Sequence, residues 1–175
     1  FAVLNMANAY SPGGGYTDGC AAQEENMFRR TDCHFSIDRR DKNMVEIKKQ
    51  WWYDDYDAMY TPAMSSILNG KEGRVYLDTK SPRVCIRGPE ARQQEDLGYE
   101  FLPEDQVFPF LELRAAAVDR RGIRATEKLN ADMRADMRRR IVAQLETLMK
   151  AGIRHVILSA FGCGAFRNPA DEVAV

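Results

Sequence analysis

Two short apolar runs at opposite ends of the sequence each empty into a cluster of glycines. Phe1-Ala2-Val3-Leu4 leads on to Gly13-Gly14-Gly15, and Val156-Ile157-Leu158-Ser159-Ala160-Phe161 runs into Gly162-Cys163-Gly164. Short apolar runs closed by turn residues fit buried strands, so each end reads as a strand feeding a flexible loop. A glycine turn at the carboxyl end of a strand lets backbone N–H groups approach an anion, and in open α/β sheets ligands bind outside those ends. Two such loops together suggest a cradle for a diphosphate. The first lacks G-x-G-x-x-G spacing and the second lacks G-K-[ST], which removes most support for dinucleotide dehydrogenases and P-loop kinases.

The chain between the loops alternates helix and strand, which makes the fold class α/β. From Ala21 the composition turns helical through Gln23, Glu24, Glu25, Asn26, Met27, Phe28 and Arg29, with Asp18 placed to cap the helix or to favour its positive start. Leu129, Met133, Met137, Ile141 and Leu145 recur every four residues, and Leu148 and Met149 continue the stripe, so a helix is predicted over Thr126 to Ala151 with Gly152 as its stop. That stripe reads as core packing, and Arg138-Arg139-Arg140 on its polar side as a solvated face rather than a nucleic-acid patch. Arg154 to Leu158 reads as a buried strand. Arg74 to Leu77 and Arg83 to Ile86 read as short strands, Glu90 to Asp105 as an exposed loop, Phe108 to Val118 as a helical mix, and Trp51 to Tyr60 as an irregular aromatic and acidic insertion.

Composition narrows the classes further. A chain of 175 residues, 45% hydrophobic and 29% charged, fits one globular domain and excludes disordered and collagenous chains. Twenty-five Lys plus Arg against 26 Asp plus Glu leave a net charge of −1, so no global field draws the chain to nucleic acid or an anionic membrane. The apolar runs fall far short of the roughly 20 residues a membrane span needs. Cys20, Cys33, Cys85 and Cys163 lie far apart, and neither His34 nor His155 stands at zinc-ligand spacing from them. Reduced thiols and no metal are expected. The chain opens at Phe1 on an apolar run and is expected to be a piece of a longer protein, cut at both ends.

Chemistry concentrates behind the first loop, where Gln23-Glu24-Glu25 brings two carboxylates together. Neighbours on a helix point about 100° apart, so the pair fits one acid and one orienting group better than two groups acting on opposite sides of one bond. A carboxyl partly desolvated beside phosphate has its pKa raised, which suits a general acid that protonates a leaving group.

The run Asn8-Ala9-Tyr10-Ser11-Pro12-Gly13-Gly14-Gly15, then seven residues, then Gln23-Glu24-Glu25, resembles the GGG-x(6–8)-QEE signature of poly(ADP-ribose) glycohydrolase macrodomains. Phe161-Gly162-Cys163-Gly164-Ala165-Phe166-Arg167-Asn168-Pro169 looks like the second phosphate loop of the microbial branch, and Leu113 to Asp119 is similar to that branch as well. The resemblance is weak between Arg39 and Phe108. It implies a three-layer α/β/α macrodomain with a mixed central sheet, spanning residues 1–175 as a single domain, that binds ADP-ribose between the two loops. By motif position Glu25 matches the catalytic glutamate, Glu24 the neighbour that holds ribose hydroxyls, and Asn8 the asparagine at the scissile bond. Gly13, Gly14 and Gly15 would line the reacting ribose and diphosphate. Gly162, Cys163, Gly164 and Ala165 would close from the other side, with Phe166 on the distal ribose and Gln23 in the binding set.

The resemblance implies hydrolysis at the anomeric carbon of an ADP-ribosyl group, with poly(ADP-ribose) as substrate, no metal or organic cofactor, and ADP-ribose as ligand and product. Similar effector macrodomains of intracellular bacteria release single ADP-ribose groups from arginine, including on ubiquitin, and other macrodomains bind ADP-ribose without cleaving it. These two readings are the alternatives. The insertions after Asp38 and from Trp51 to Asn69 differ from compact microbial members, and adenine contacts are expected to lie outside this stretch or within those insertions. A monomer is expected, with no nucleic-acid or membrane partner, in cytoplasm or nucleus, or in a host cytosol if the protein is a secreted effector.

Overall fold

The structure, a computed structural model, describes residues 1–49, 56–93, 96–124 and 128–174. Strand β1 (Ala2–Met6) is followed by helix α1 (Gln23–Arg30), a 3₁₀ turn at Asp32–Ser36, the ribbon of β2 (Val45–Lys49) and β3 (Tyr56–Tyr60), and helix α2 (Pro62–Leu68). Short strands β4 (Tyr76–Leu77) and β5 (Arg83–Cys85) precede a second ribbon, β6 (Ala91–Gln93) with β7 (Asp96–Gly98). Then come the long strand β8 (Phe108–Ala115), helix α3 (Ala131–Lys150), β9 (Val156–Ile157) and the single turn α4 (Ala170–Val173).

β1 lies between β8 and β9 and is parallel to both, pairing Leu4 with Leu113 and Ala2 with Val156. The far edge of β8 carries β4 and β5, both antiparallel, at Tyr76 opposite Arg114 and Arg83 opposite Phe110. The sheet is therefore mixed. Because side chains alternate along a strand, Leu4, Leu113 and Ala115 face one way and pack with Met137, Ala143 and Leu148 of α3. Val3 and Phe110 face the other way, against Met27 and Phe28 of α1. The sheet thus lies between two helical layers, as the macrodomain resemblance implies. α2 sits beside it, with Met64 and Leu68 against Val45, Tyr60 and Ala116.

The α1 face of the sheet is built partly from charge. Glu112 is fully enclosed and accepts from Arg114 Nε and Nη2 at 2.8 Å each, Asn5 Nδ2 at 2.7 Å and Arg83 Nε at 3.2 Å. Burial alone would raise the Glu112 pKa, but the Arg114 charge and this ring of donors outweigh it and hold the carboxylate below its ordinary range. Arg114 in turn donates to Tyr60 Oη at 2.6 Å and Ser36 Oγ at 2.9 Å.

Several expectations are corrected here. Phe108 to Ala115 is a strand, not a helical mix. Its two charges, Glu112 and Arg114, alternate with Leu111, Leu113 and Ala115 but are buried, so the alternation does not divide a core face from a solvent face as it does in a half-buried strand. Asp18 does not cap α1; Ala22 is the N-cap residue, without a side-chain bond, and Glu24 and Glu25 supply acid to the first turn. α3 starts at Ala131, because Asn130 Oδ1 accepts from Met133 N at 2.8 Å; the predicted start at Thr126 lies outside the described residues. Its stripe is core only in part: Met137 and Leu148 are enclosed, whereas Leu145 and Met149 are exposed.

The Arg138-Arg139-Arg140 run is not a wholly solvated face. Arg140 is buried, bonded to Asn69 Oδ1 and to the carbonyls of Ala116 at 2.8 Å and Ala117 at 3.2 Å, tying α3 to the end of β8. β9 is shorter than predicted and lies at the sheet edge, with Ile157 58% exposed. The stretch from Glu90 to Asp105 holds the β6–β7 ribbon. Of the Trp51 to Tyr60 insertion, residues 51–55 lie outside the described residues and Tyr56 to Tyr60 is regular strand paired with β2. The four cysteines are free. Among the described residues no helix is long and apolar enough to cross a membrane.

Candidate active site

The first glycine loop leaves the carboxyl end of β1 and the second follows β9, and the sheet sets these strands side by side. Between the loops is a cavity of about 360 Å³ lined on one side by Asn8, Gln23, Glu24 and Glu25 and on the other by Ala117, Gly162, Gly164, Ala165 and Phe166. Residues more than 130 apart in the sequence thereby face one another across a single cleft.

The first loop wraps the two carboxylates through its own backbone. Glu24 Oε2 accepts from Asn8 N at 2.6 Å and its Oε1 from Gly13 N at 3.0 Å, while Glu25 Oε1 accepts from Gly15 N at 3.1 Å. Gly13 and Gly14 have φ of +77° and +56°, left-handed backbone that a side chain resists. Glu25 Oε2 is buried and has no hydrogen-bond partner among the described residues. An enclosed carboxylate oxygen left open at a cleft is placed to meet a ligand. Burial pushes Glu24 up to about 8; the Asn8 and Gly13 N–H groups and the Arg114 charge pull it down, and the neighbouring Glu25 adds to the rise.

Other expected residues take more structural parts. Gln23 lines the cleft, but both ends of its amide are bound to β1: Nε2 donates to Leu4 O at 2.7 Å and Oε1 accepts from Met6 N at 2.8 Å. It splints α1 to the sheet. Asn8 Oδ1 accepts from Tyr10 N at 2.8 Å and Ser11 N at 3.1 Å, shaping the loop entry. Cys163 does not line the cleft, and its Sγ lies 3.7 Å from Phe161 O. Gly13, Gly14 and Gly15, expected to line the cleft, do not; Gly13 N and Gly15 N instead bond the two carboxylates that do. Phe166 lines the cleft with the Arg121 guanidinium 5.1 Å from its ring centroid.

The second loop is held by residues outside the expected set. Asn168 is buried, and its Nδ2 donates to Val118 O at 2.8 Å and Gly162 O at 2.9 Å. Arg120 N donates to Phe166 O at 3.1 Å and its Nη1 to Arg167 O at 3.1 Å. At Gly162, φ is +74° and an added Cβ would overlap Ala117 Cβ, so glycine is required. Asn168 stood in the quoted motif and could have been found there; nothing in the sequence distinguishes Arg120 from a surface arginine. Among the described residues no group of three or more His, Cys, Asp or Glu could hold a metal ion.

Residues 1–68 match the family described as microbial-type PARG, catalytic domain, where PARG is poly(ADP-ribose) glycohydrolase. No curated protein matches the chain. Among solved structures, the poly(ADP-ribose) glycohydrolase from Thermomonospora curvata is 23% identical with a TM-score of 0.60, over 99% of this chain and 53% of that one. The enzyme from Deinococcus radiodurans in complex with ADP-ribose is 23% identical with a TM-score of 0.59, over 99% of this chain and 59% of that one. The T. curvata enzyme is also solved with the inhibitor ADP-HPD. The chain spans little more than half the length of these proteins. Over residues 1–68 it therefore carries the sequence pattern of the microbial-type PARG catalytic domain, and over nearly its whole length the fold of the bacterial poly(ADP-ribose) glycohydrolases.

Proposed function

We propose that the protein is an ADP-ribosyl glycohydrolase that binds ADP-ribose in the cleft between the two glycine loops and hydrolyses the bond at the anomeric carbon of its ribose, with poly(ADP-ribose) as substrate. The observation that carries this is Glu25, which lines the cleft: one oxygen is fixed by Gly15 N and the other is buried with no hydrogen-bond partner among the described residues. Solved proteins of this fold hold ADP-ribose or ADP-HPD.

In the first step the glycosidic C–O bond breaks as the anomeric carbon gains oxocarbenium character. Glu25 gives its proton to the departing oxygen. The carboxylate so formed takes a proton from water, whose oxygen bonds to the anomeric carbon, returning Glu25 to the acid form and releasing ADP-ribose. Glu24, clamped by Asn8 N and Gly13 N, fixes the loop and presents its remaining lone pairs to ribose hydroxyls. The open N–H groups of the second loop would take the diphosphate. The scheme uses the chain's own carboxylates and assigns no step to a metal or organic cofactor.

The test offers the protein poly(ADP-ribose) and, separately, an arginine-linked ADP-ribosyl protein such as modified ubiquitin, and reads free ADP-ribose. Release from the polymer is expected. Release only from the modified protein would make it a mono-ADP-ribosyl hydrolase, and binding of ADP-ribose with release from neither would make it a reader.

A further inference from the structure

The first glycine loop is shared between the cleft and a second cavity of about 270 Å³. Gly14 lines this second cavity, and the Glu25 carboxylate that Gly14 abuts lines the cleft. The two spaces are thus one residue apart. The second cavity continues past Thr17 and Asp18 to His34 and Arg39, and is closed by Ala58 and Met59 of β3. Its wall is tied to the loop, since Tyr60 N donates to Tyr10 O at 2.7 Å and Ser11 Oγ lies 3.6 Å from Met59 Sδ.

The charges here are not spent on the fold. Arg40 is engaged by Asp38 at 3.0 Å, whereas Arg39, beside it and exposed, has no ion pair among the described residues. His34 is half-buried, its ring 3.7 Å from that of Phe35, which is 75% exposed. Asp18 is the one acid among the described lining residues, and it accepts from its neighbour Thr17 at 3.4 Å. A guanidinium and an imidazole lining one solvent-open hollow suit a doubly anionic group.

We infer that this cavity is a subsite for the diphosphate of the polymer unit adjoining the one held in the cleft, with Arg39 and His34 as its specificity-determining residues. The inference rests on the proposed ADP-ribosyl glycohydrolase reading and deepens it. Every unit of the polymer carries a diphosphate, so a second anion site one residue from Glu25 is useful only to a substrate with a second unit. A single ADP-ribosyl group on arginine brings no such anion. Ala58 and Met59 of the β2–β3 hairpin wall this cavity and do not line the cleft, which makes the hairpin a place where substrate range can be set without altering the cleft.

The experiment measures binding in the Glu25→Gln background, so that substrate persists, with free ADP-ribose and defined-length poly(ADP-ribose) as probes. Chains of two or more units should bind roughly 10-fold more tightly than ADP-ribose. Arg39→Glu and His34→Ala should each remove much of that margin and leave ADP-ribose binding unchanged, and the margin should shrink as salt rises. Equal binding of polymer and ADP-ribose, or equal weakening of both by the variants, overturns the subsite while leaving the cleft and its chemistry intact. If Arg39→Glu instead tightens binding of an arginine-linked ADP-ribosyl protein and Asp18→Asn weakens it, the cavity receives a guanidinium and the inference is wrong. Failure of the unsubstituted protein to bind ADP-ribose at all removes the glycohydrolase reading, and the subsite falls with it.

Discussion

Gly14 lies so close to Glu25 that a methyl group on its α-carbon would overlap Oε1 of the carboxylate. Gly14→Ala therefore loads two costs on one site. The left-handed backbone at φ +56° penalises alanine by about 1–2 kcal/mol, and the methyl forces the Glu25 side chain away from Gly15 N. Misplacing a reacting group by about 1 Å can cost about 10²-fold, so turnover should fall by at least roughly that factor while the melting temperature drops only by a few degrees. Turnover and melting measured on the same preparation check this; a normal rate with a lowered melting point would contradict it.

Removing the acid of the proposed scheme should act on chemistry alone. Glu25→Gln keeps the shape and can still accept from Gly15 N, but it can neither supply nor take the proton. Turnover should fall about 10²- to 10⁴-fold with ADP-ribose affinity nearly unchanged, as read by product release beside calorimetric titration. Unchanged turnover would end the general-acid scheme.

Glu24 gives the ligand-free protein a pH signature. Its pKa is about 8 when folded, against an ordinary value of 4.5. Between those values the native state keeps a proton that the unfolded chain releases, so stability is fully present below about 4.5 and is lost as pH rises toward 8. The loss is of the order of a few kcal/mol. Melting temperature should therefore decline across this window, and Glu24→Gln, neutral throughout, should flatten the slope. Parallel slopes for the two proteins would show that other groups carry the dependence.

Asn168→Ala removes both bonds that hold Gly162 and Val118 together behind the second loop. Two lost buried bonds put the stability cost at about 1–3 kcal/mol. The loop it frees binds the diphosphate in the proposed scheme, so KM should rise several-fold with kcat less affected. A steady-state comparison separates this from a general loss of folded protein, which would lower kcat and leave KM alone.

The Glu112–Arg114 pair should behave as a buried ion pair does. Arg114→Met alone leaves Glu112 enclosed with its strongest partner gone and should destabilise by about 3–5 kcal/mol. Adding Glu112→Gln should recover part of that loss. Denaturant melts of the single and double variants test the coupling, and purely additive losses would refute it.

That pair also explains which parts of the fold could be read in advance. β1, the two glycine loops and α1 follow from local signals: an apolar run, glycines that need positive φ, and carboxylates in a first helical turn. β8 does not, because a strand whose inward face holds Glu112 and Arg114 looks amphipathic until Asn5, Arg83 and Tyr60, 29 to 107 residues away by sequence number, are known to receive them. Arg140 misleads for the same reason, since its partners at Asn69, Ala116 and Ala117 lie outside its helix. At the site, the placing of Glu24, Glu25 and the second glycine loop at the cleft was legible from the motif resemblance, whereas the use of Gly13 and Gly15 as donors to the carboxylates, of Gln23 as a splint and of Arg120 and Asn168 as braces depends on tertiary contacts that no short window contains.

The placement of β1 between β8 and β9 has a consequence for how the protein comes into being. The first half of the cleft is made within the opening residues, but its second half arrives only with Gly162 to Phe166, after β8 and α3 have been laid down. Pairing across so wide a sequence gap is entropically slow to find. During synthesis the ribosome thus releases the two carboxylates long before there is any opposite wall, and the cleft has only one side until β9 has docked beside β1. In refolding, a ligand of the proposed cleft should accordingly trap only species in which β9 has paired with β1, which makes competence to bind a clock for that pairing.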